Sequence, residues 1–284
     1  MDSIYRFIFE NKPIRGEFVQ LQTSFQSIIA QHAYPGPIRK LLGESLCIAG
    51  LLCAIFKFKG RLSVQFRGEG KLKFLLAQCD HQFNLRGLAK CEDDLSEKEL
   101  MVALNQGILV IMIDGAPNQK RYQGIVSWQG NSMAESIEKY FQQSEQLPTK
   151  IWLAVDERKA AGFLLQVIPS KDHSEENLEN FRTMTIDHKR LLNQAADSLL
   201  HGFFPAEDIR LFQGVPVQFK CTCSRRKGEE AILILGKEEA EAELAENKAL
   251  LVTCEFCQQS YYFDAVDVAK IFSSNDGASS QTLH

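Results

Sequence analysis

The sequence lacks the features that mark several large classes of protein. It has no excess of positive charge, since 32 Lys and Arg stand against 36 Asp and Glu for a formal net charge of −4. A chain whose main task is coating nucleic acid would carry a basic face. Its longest apolar run, Leu46 to Phe56, has eleven residues, short of the roughly 18 needed to cross a bilayer. Cysteine is scarce, with eight in 284 residues, so the chain is not a disulfide scaffold. The first residues, MDSIYRFIFENK, lack a basic stretch followed by an apolar core. No secretory leader is read there, and the reducing cytoplasm is the expected location. No G-x-S-x-G, H-E-x-x-H or Gly-Lys-Ser/Thr motif is found, and Gly68-x-Gly70 lacks a third glycine, so nothing marks an enzyme. What remains is an ordinary globular composition, 45% apolar and 24% charged, long enough for about two domains.

The chain divides by texture into residues 1–170, 171–220 and 221–284. The first part predicts a mixed α/β domain with α+β ordering. GEFVQLQ (16–22) has the pattern of a strand and TSFQSIIAQH that of a helix. Pro37 suits the first position of the next helix, IRKLLGESLCIAGLLCAIF. After Gly60 the apolar period changes to two, and Gly68-Glu69-Gly70 separates two strands of a hairpin. ILVIMI (108–113) is a continuous apolar run, expected of a strand covered on both faces. RYQGIVSW alternates again, and Ser132-x-x-Glu135 should cap the helix SIEKYFQQSEQ, which Leu147-Pro148 ends. KIWLAV and GFLLQVI are two further strands.

Residues 171–220 open with the polar stretch KDHSEENLENF. Leu191, Leu192, Ala195, Leu199 and Leu200 then recur at helical spacing, followed by an exposed-looking pair, Phe203 and Phe204. An amphipathic helix this short depends on what it packs against. The last 64 residues, including the solvated acidic stretch KEEAEAELAE, are too few to hold together by a core alone.

Four cysteines fall in that last part as Cys221-Thr222-Cys223 and Cys254-Glu255-Phe256-Cys257. C-x-x-C lets two thiolates reach one ion from a tight turn, and C-x-C is a less usual half-site that still allows convergence. Four soft sulfur ligands select zinc in a reducing compartment and leave no open position, so the metal should be structural. Cys47 and Cys53 sit in a buried helical pattern as apolar filler. Cys79-Asp80-His81 with Cys91 is a weak alternative metal site.

These features together are familiar. VQFKCTCS (217–224), the later CEFC with YYFDAVDVAKIF behind it, and RGEFVQL, Tyr34-Pro35-x-Pro37, VQFRGEGKLKFLL, LRGLA, RYQGIV, YFQQSEQLPT and AAGFLLQVIP resemble the heat-shock protein 33 family over essentially the whole chain. One departure is Arg226, where family members commonly carry an acidic residue. It neighbours the cysteines and replaces none.

The resemblance implies an N-terminal α/β domain, a metastable helical linker and a small C-terminal zinc domain. It implies a redox-regulated, ATP-independent holdase that answers oxidative stress and is inactive when reduced and zinc-bound. Cys221, Cys223, Cys254 and Cys257 would bind the zinc, and on oxidation would form disulfides Cys221–Cys223 and Cys254–Cys257. The active form would be a homodimer, the reduced form a monomer, and the partners unfolding client proteins. If the linker helix packs on the tail, loss of the metal exposes Leu191, Leu192, Leu199, Leu200, Phe203 and Phe204, an apolar stripe suited to holding clients. Two other classes stay open. A nucleic-acid-binding zinc ribbon would use Lys220 with Arg225-Arg226-Lys227 and bind in a salt-dependent way. A thiol–disulfide oxidoreductase would place Cys254-x-x-Cys257 at a helix N-terminus.

Overall fold

The computed structural model describes residues 1–115, 122–128, 132–169 and 184–276. The polar stretch KDHSEENLENF lies outside the described residues. Two compact units emerge, Met1–Lys220 and Cys221–His284.

The first unit is an α+β body of two sheets. β1 (Ser3–Phe9), β2 (Ile14–Leu21), β8 (Thr149–Val155) and β9 (Ala160–Val167) form the main part of one sheet, in the order β1-β2-β9-β8. β3 (Gly60–Arg67), β4 (Leu72–Asp80), β5 (Asn84–Cys91), β6 (Ile108–Gly115) and β7 (Tyr122–Val126) form most of the other, in the order β5-β4-β3-β6-β7. All these pairings are antiparallel. The β3–β4 hairpin follows the period-two pattern, and Gly70 takes φ +105° at its turn, a conformation open chiefly to glycine.

Between the sheets runs α2 (Gly36–Ile55), after the short α1 (Thr23–Ile29). From Leu41 to Cys53 every residue of α2 except Glu44 is buried. A helix apolar on all sides is one covered on all sides. It joins both sheets in one core with Val19, Leu62, Val64, Leu75, Ile111 and Leu164. Pro35 caps α2, so Pro37 falls at its second position.

Several expectations need correction. ILVIMI is covered on one face only, for Leu109 and Ile111 are fully buried while Ile108 is 54% exposed. The strand covered on both faces is β9, all eight of whose residues are buried. The reason lies in the linker. Its described part forms two short helices, α5 (His188–Asn193) and α6 (Ala196–Phe203), which cover the face of the first sheet away from α2. Leu191, Leu192, Ala196, Leu199 and Leu200 pack there with Phe7, Phe18, Trp152 and Phe163. Gln20 fixes the break between the helices by donating to the carbonyls of Leu191 and Gln194. The apolar stripe is therefore sheathed by this sheet. Phe203 and Phe204 are half-buried, not exposed. Phe204 meets Phe9 edge-on at 5.1 Å.

After α6 the chain adds three short strands to the sheet edges. β10 (Ile209–Leu211) and β11 (Val215–Pro216) pair with β1, and β12 (Gln218–Phe219) runs parallel to β5. Two helices complete the unit, α3 (Glu97–Gln106) and α4 (Met133–Tyr140). Ser96 and Glu99 cap α3 reciprocally, and the Ser132 hydroxyl accepts from Glu135 N–H as α4 begins. No helix among the described residues is long and apolar enough to cross a membrane.

The second unit contains α7 (Arg225–Leu235), α8 (Lys237–Asn247), the hairpin β13 (Leu250–Thr253) to β14 (Ser260–Phe263), and α9 (Ala265–Asp276). It does have a core, but a small one: Ile232, Ala240, Leu250, Phe263 and Val268.

Candidate metal centre

Two backbone devices bring the four cysteines together. Cys254 to Cys257 form the tip of the β13–β14 hairpin. There Cys254 N–H donates to the Gln259 carbonyl at 2.9 Å and Gln258 N–H to the Cys254 carbonyl at 2.8 Å. Gln258 takes a left-handed φ of +54° to close this knuckle. The hairpin pairs two short apolar and aromatic runs, LLVT and SYYF, on either side. Cys221 and Cys223 lie just before α7, whose first turn is capped by the Ser224 hydroxyl. Lys227 reaches back from α7 to the Thr222 carbonyl at 2.6 Å and clamps the C-x-C segment.

Arg225 ties this helix to the hairpin. Its guanidinium donates to the Tyr262 carbonyl and to Asp267, and stacks 4.3 Å from the centre of the Phe263 ring. Gly228 permits the approach, because a Cβ there would meet Phe263 at 2.8 Å.

The result is one cluster of four sulfurs, all within 4.8 Å of one another. Cys221 and Cys254 are 3.6 Å apart, Cys223 and Cys257 3.4 Å. A tetrahedral site with Zn–S bonds of about 2.3 Å has sulfurs about 3.8 Å apart, so the donor set fits. A disulfide needs about 2.05 Å, and all eight cysteines are free thiols. Burial pushes the Cys221 and Cys257 thiols up. Burial raises Cys223 as well, but a hydrogen bond from the Tyr261 hydroxyl at 3.2 Å and bonds with the other cysteines outweigh it, and the net direction is down. Tyr261 itself is pushed up to about 12, chiefly because its proton is held on Cys223.

The four cysteines can hold a metal ion. Sequence reasoning did not single out Tyr261, Lys227 or Arg225 as supports of this site. The aromatic run YYF close behind the second cysteine pair was a signal for Tyr261, and the other two follow only from the tertiary arrangement. The basic cluster is otherwise engaged, Arg225 with Asp267, Arg226 with Glu230 and Lys227 with Thr222. Cys254-x-x-Cys257 occupies a hairpin tip rather than a helix N-terminus. Cys47, Cys53 and Cys79 are buried in the first core, and Cys79 with Cys91 forms no metal-spaced group among the described residues. The linker positions Leu191, Leu192, Leu199 and Leu200 are buried in the first unit.

A family model described as "Hsp33 protein" matches residues 2–264. The chain belongs to the Hsp33 family. Relatives named "33 kDa chaperonin" include one from Shewanella sp. (strain ANA-3), 40% identical over 99% of both chains. Another, from Shewanella woodyi, is 40% identical over 96% of both. Among solved structures, the Hsp33 homologue of Thermotoga maritima superposes with a TM-score of 0.80 at 23% identity, covering 97% of this chain and 99% of that one. That last likeness speaks for the fold. Membership of the Hsp33 family supports a chaperone function.

Proposed function

We propose that this chain is an ATP-independent holdase of the cytoplasm, switched by oxidation of its four clustered cysteines. The observation that carries the reading is where the cluster stands in the chain. Lys220 N–H donates to the Leu85 carbonyl at 3.0 Å at the end of β12, and Cys221 is the next residue. The linker's last anchor and the first sulfur ligand are thus adjacent.

When bound, zinc would supply a structural crosslink among Cys221, Cys223, Cys254 and Cys257, in a unit with a core of only five buried residues. Such a crosslink is worth about 10–16 kcal/mol of apparent folding stabilisation near neutral pH. An oxidant such as peroxide or hypochlorous acid takes two electrons from each thiol pair, two protons leave, and one S–S bond forms per pair. In this reading the pairs are Cys221–Cys223 and Cys254–Cys257. Disulfide sulfurs are poor ligands, so the second unit loses its main source of order. The linker is then held only by strands β10 to β12, of three, two and two residues, and by the packing of α5 and α6 on the first sheet.

Peeling the linker from the first sheet uncovers two apolar surfaces at once. One is the leucine stripe with Phe203 and Phe204. The other is the sheet face of Phe7, Phe18, Trp152 and Phe163. Contiguous apolar area of this kind holds collapsing chains, and it also favours association into a homodimer from a reduced monomer.

The test compares reduced, zinc-loaded protein with peroxide-treated protein at mildly elevated temperature. Zinc release and light scattering by a thermally unfolding client are followed in one sample. Zinc release together with suppressed scattering is expected. Release with no gain in holding capacity would leave only a zinc-stabilised interaction module.

A further inference from the structure

A cavity of about 370 Å³ opens in the first unit where the end of α2 meets the β1–β2 edge, with Phe212 of the linker forming part of its wall. Its chemistry is unlike that of a packing defect. Glu17 of β2 lines it, is 3% exposed, and leaves Oε2 buried without a hydrogen-bond partner. A buried acceptor left in that state costs about 1–3 kcal/mol, and such groups call for an explanation. Burial pushes the Glu17 carboxyl up to about 7 even though Arg15 and Arg6 both pull it down.

The rest of the lining combines cationic and aromatic side chains with Ile8, Cys53, Ala54 and Ile55. Arg6 lies opposite Glu17 in the β1–β2 register, with its guanidinium 5.9 Å from the centre of the Phe83 ring. Arg15 gives two donors to Gln166. Lys57 stands exposed at the rim. Phe56, Phe58, Phe83 and Phe212 supply flat apolar surface. Phe83 is held at a left-handed φ of +59°, where a non-glycine residue is strained. Asp80 keeps it there by accepting from the N–H groups of Gln82 and Asn84.

We propose that this cavity binds a purine nucleoside monophosphate. The phenylalanines take the flat ring, Glu17 accepts the N–H donors on the edge of the base, and Arg6 with Lys57 takes the phosphate. Each unexplained group then has a partner. Guanine matches best, because its N1–H and amino N–H lie side by side as a carboxylate requires. The volume lies near the lower end of ligand pockets, roughly 300–1,000 Å³, which favours a mononucleotide over a dinucleotide. Phe212 N–H donates to the Arg6 carbonyl at 2.9 Å, so an occupied cavity also steadies the strand β10 beside it.

The experiment titrates reduced full-length protein with GMP by calorimetry, with guanosine and inorganic phosphate as separate arms. Saturable 1:1 binding of GMP is expected, at least about tenfold tighter than either fragment. Glu17→Gln and Lys57→Gln should each weaken GMP about tenfold or more. Lys57 is exposed, so its variant reports on binding independently of any change in stability at Glu17. Amide exchange at Ile209 to Phe212 should slow with GMP present. The proposal falls if GMP shows no saturable binding, if phosphate alone binds as tightly, or if Lys57→Gln leaves the affinity unchanged.

Discussion

At the scale of single residues, the account separates groups that hold the metal site from groups that strain the first unit. Cys254 supplies one of four sulfurs, and three sulfurs with a serine hydroxyl make a much poorer zinc ligand set. Cys254→Ser should therefore lose zinc and unfold the second unit even when reduced, as seen by metal analysis and amide exchange. A zinc-replete, protected Cys254→Ser tail would contradict this. Tyr261 acts through Cys223, and removing such a partner costs about 10–100-fold in metal affinity. Tyr261→Phe should show a loss of that size in a competition titration with a chelator, while the β13–β14 hairpin stays folded. Glu17 gives a pH signature of its own. Its folded pKa of about 7 lies above the ordinary value of 4.5, so the native chain binds that proton more tightly than the unfolded one. The cost of burying it is absent below about pH 4.5 and grows as pH rises to about 7. Glu17→Gln should thus stabilise the protein near pH 8, by up to about 3 kcal/mol, and have little such effect near pH 4. Unfolding by urea across that range measures the difference.

At the scale of elements, the proposed function turns on the docking of α5 and α6. Leu199 is fully buried against the first sheet, and truncating a buried leucine costs about 2–5 kcal/mol. Leu199→Ala should loosen α5 and α6, raising their amide exchange and giving holding capacity without oxidation, while β3 to β6 stay protected. Unchanged exchange in α5 and α6 would count against this role. The sequence made some elements plain. The hairpin β3–β4 followed from a period of two, α2 from an unbroken apolar stretch, and the metal cluster from two closely spaced cysteine pairs in a segment with little core of its own. Other elements were hidden. β1, SIYRFIF, buries Ile4, Phe7 and Phe9 without a regular period of two. α3 carries a full Ser96–Glu99 capping box that went unused. ILVIMI and GFLLQVI look alike as apolar runs, and which one is covered on both faces depends on where the linker lands. That is a long-range fact, and local pattern does not encode it. The same holds for the partner of the leucine stripe, which is the first sheet.

For the whole molecule, the contrast is between a large unit with two extensive buried cores and a small one with a slight core beside four cysteines that can hold a metal ion. The first should outlast oxidation, since of its four cysteines Cys47, Cys53 and Cys79 are buried out of an oxidant's reach and Cys91 is half-buried. The second should be the part that responds. The chain passes from one to the other between Lys220 and Cys221, and in the proposed function that step couples linker docking to the order of the cysteine loop. The most direct measurement is amide hydrogen exchange on the zinc-loaded reduced protein and on the same protein after peroxide, alongside holding capacity. The account predicts that residues 188–219 and the second unit lose protection together as holding capacity appears, with β3 to β6 unchanged. Holding capacity that rises while residues 188–219 keep their full protection would contradict it.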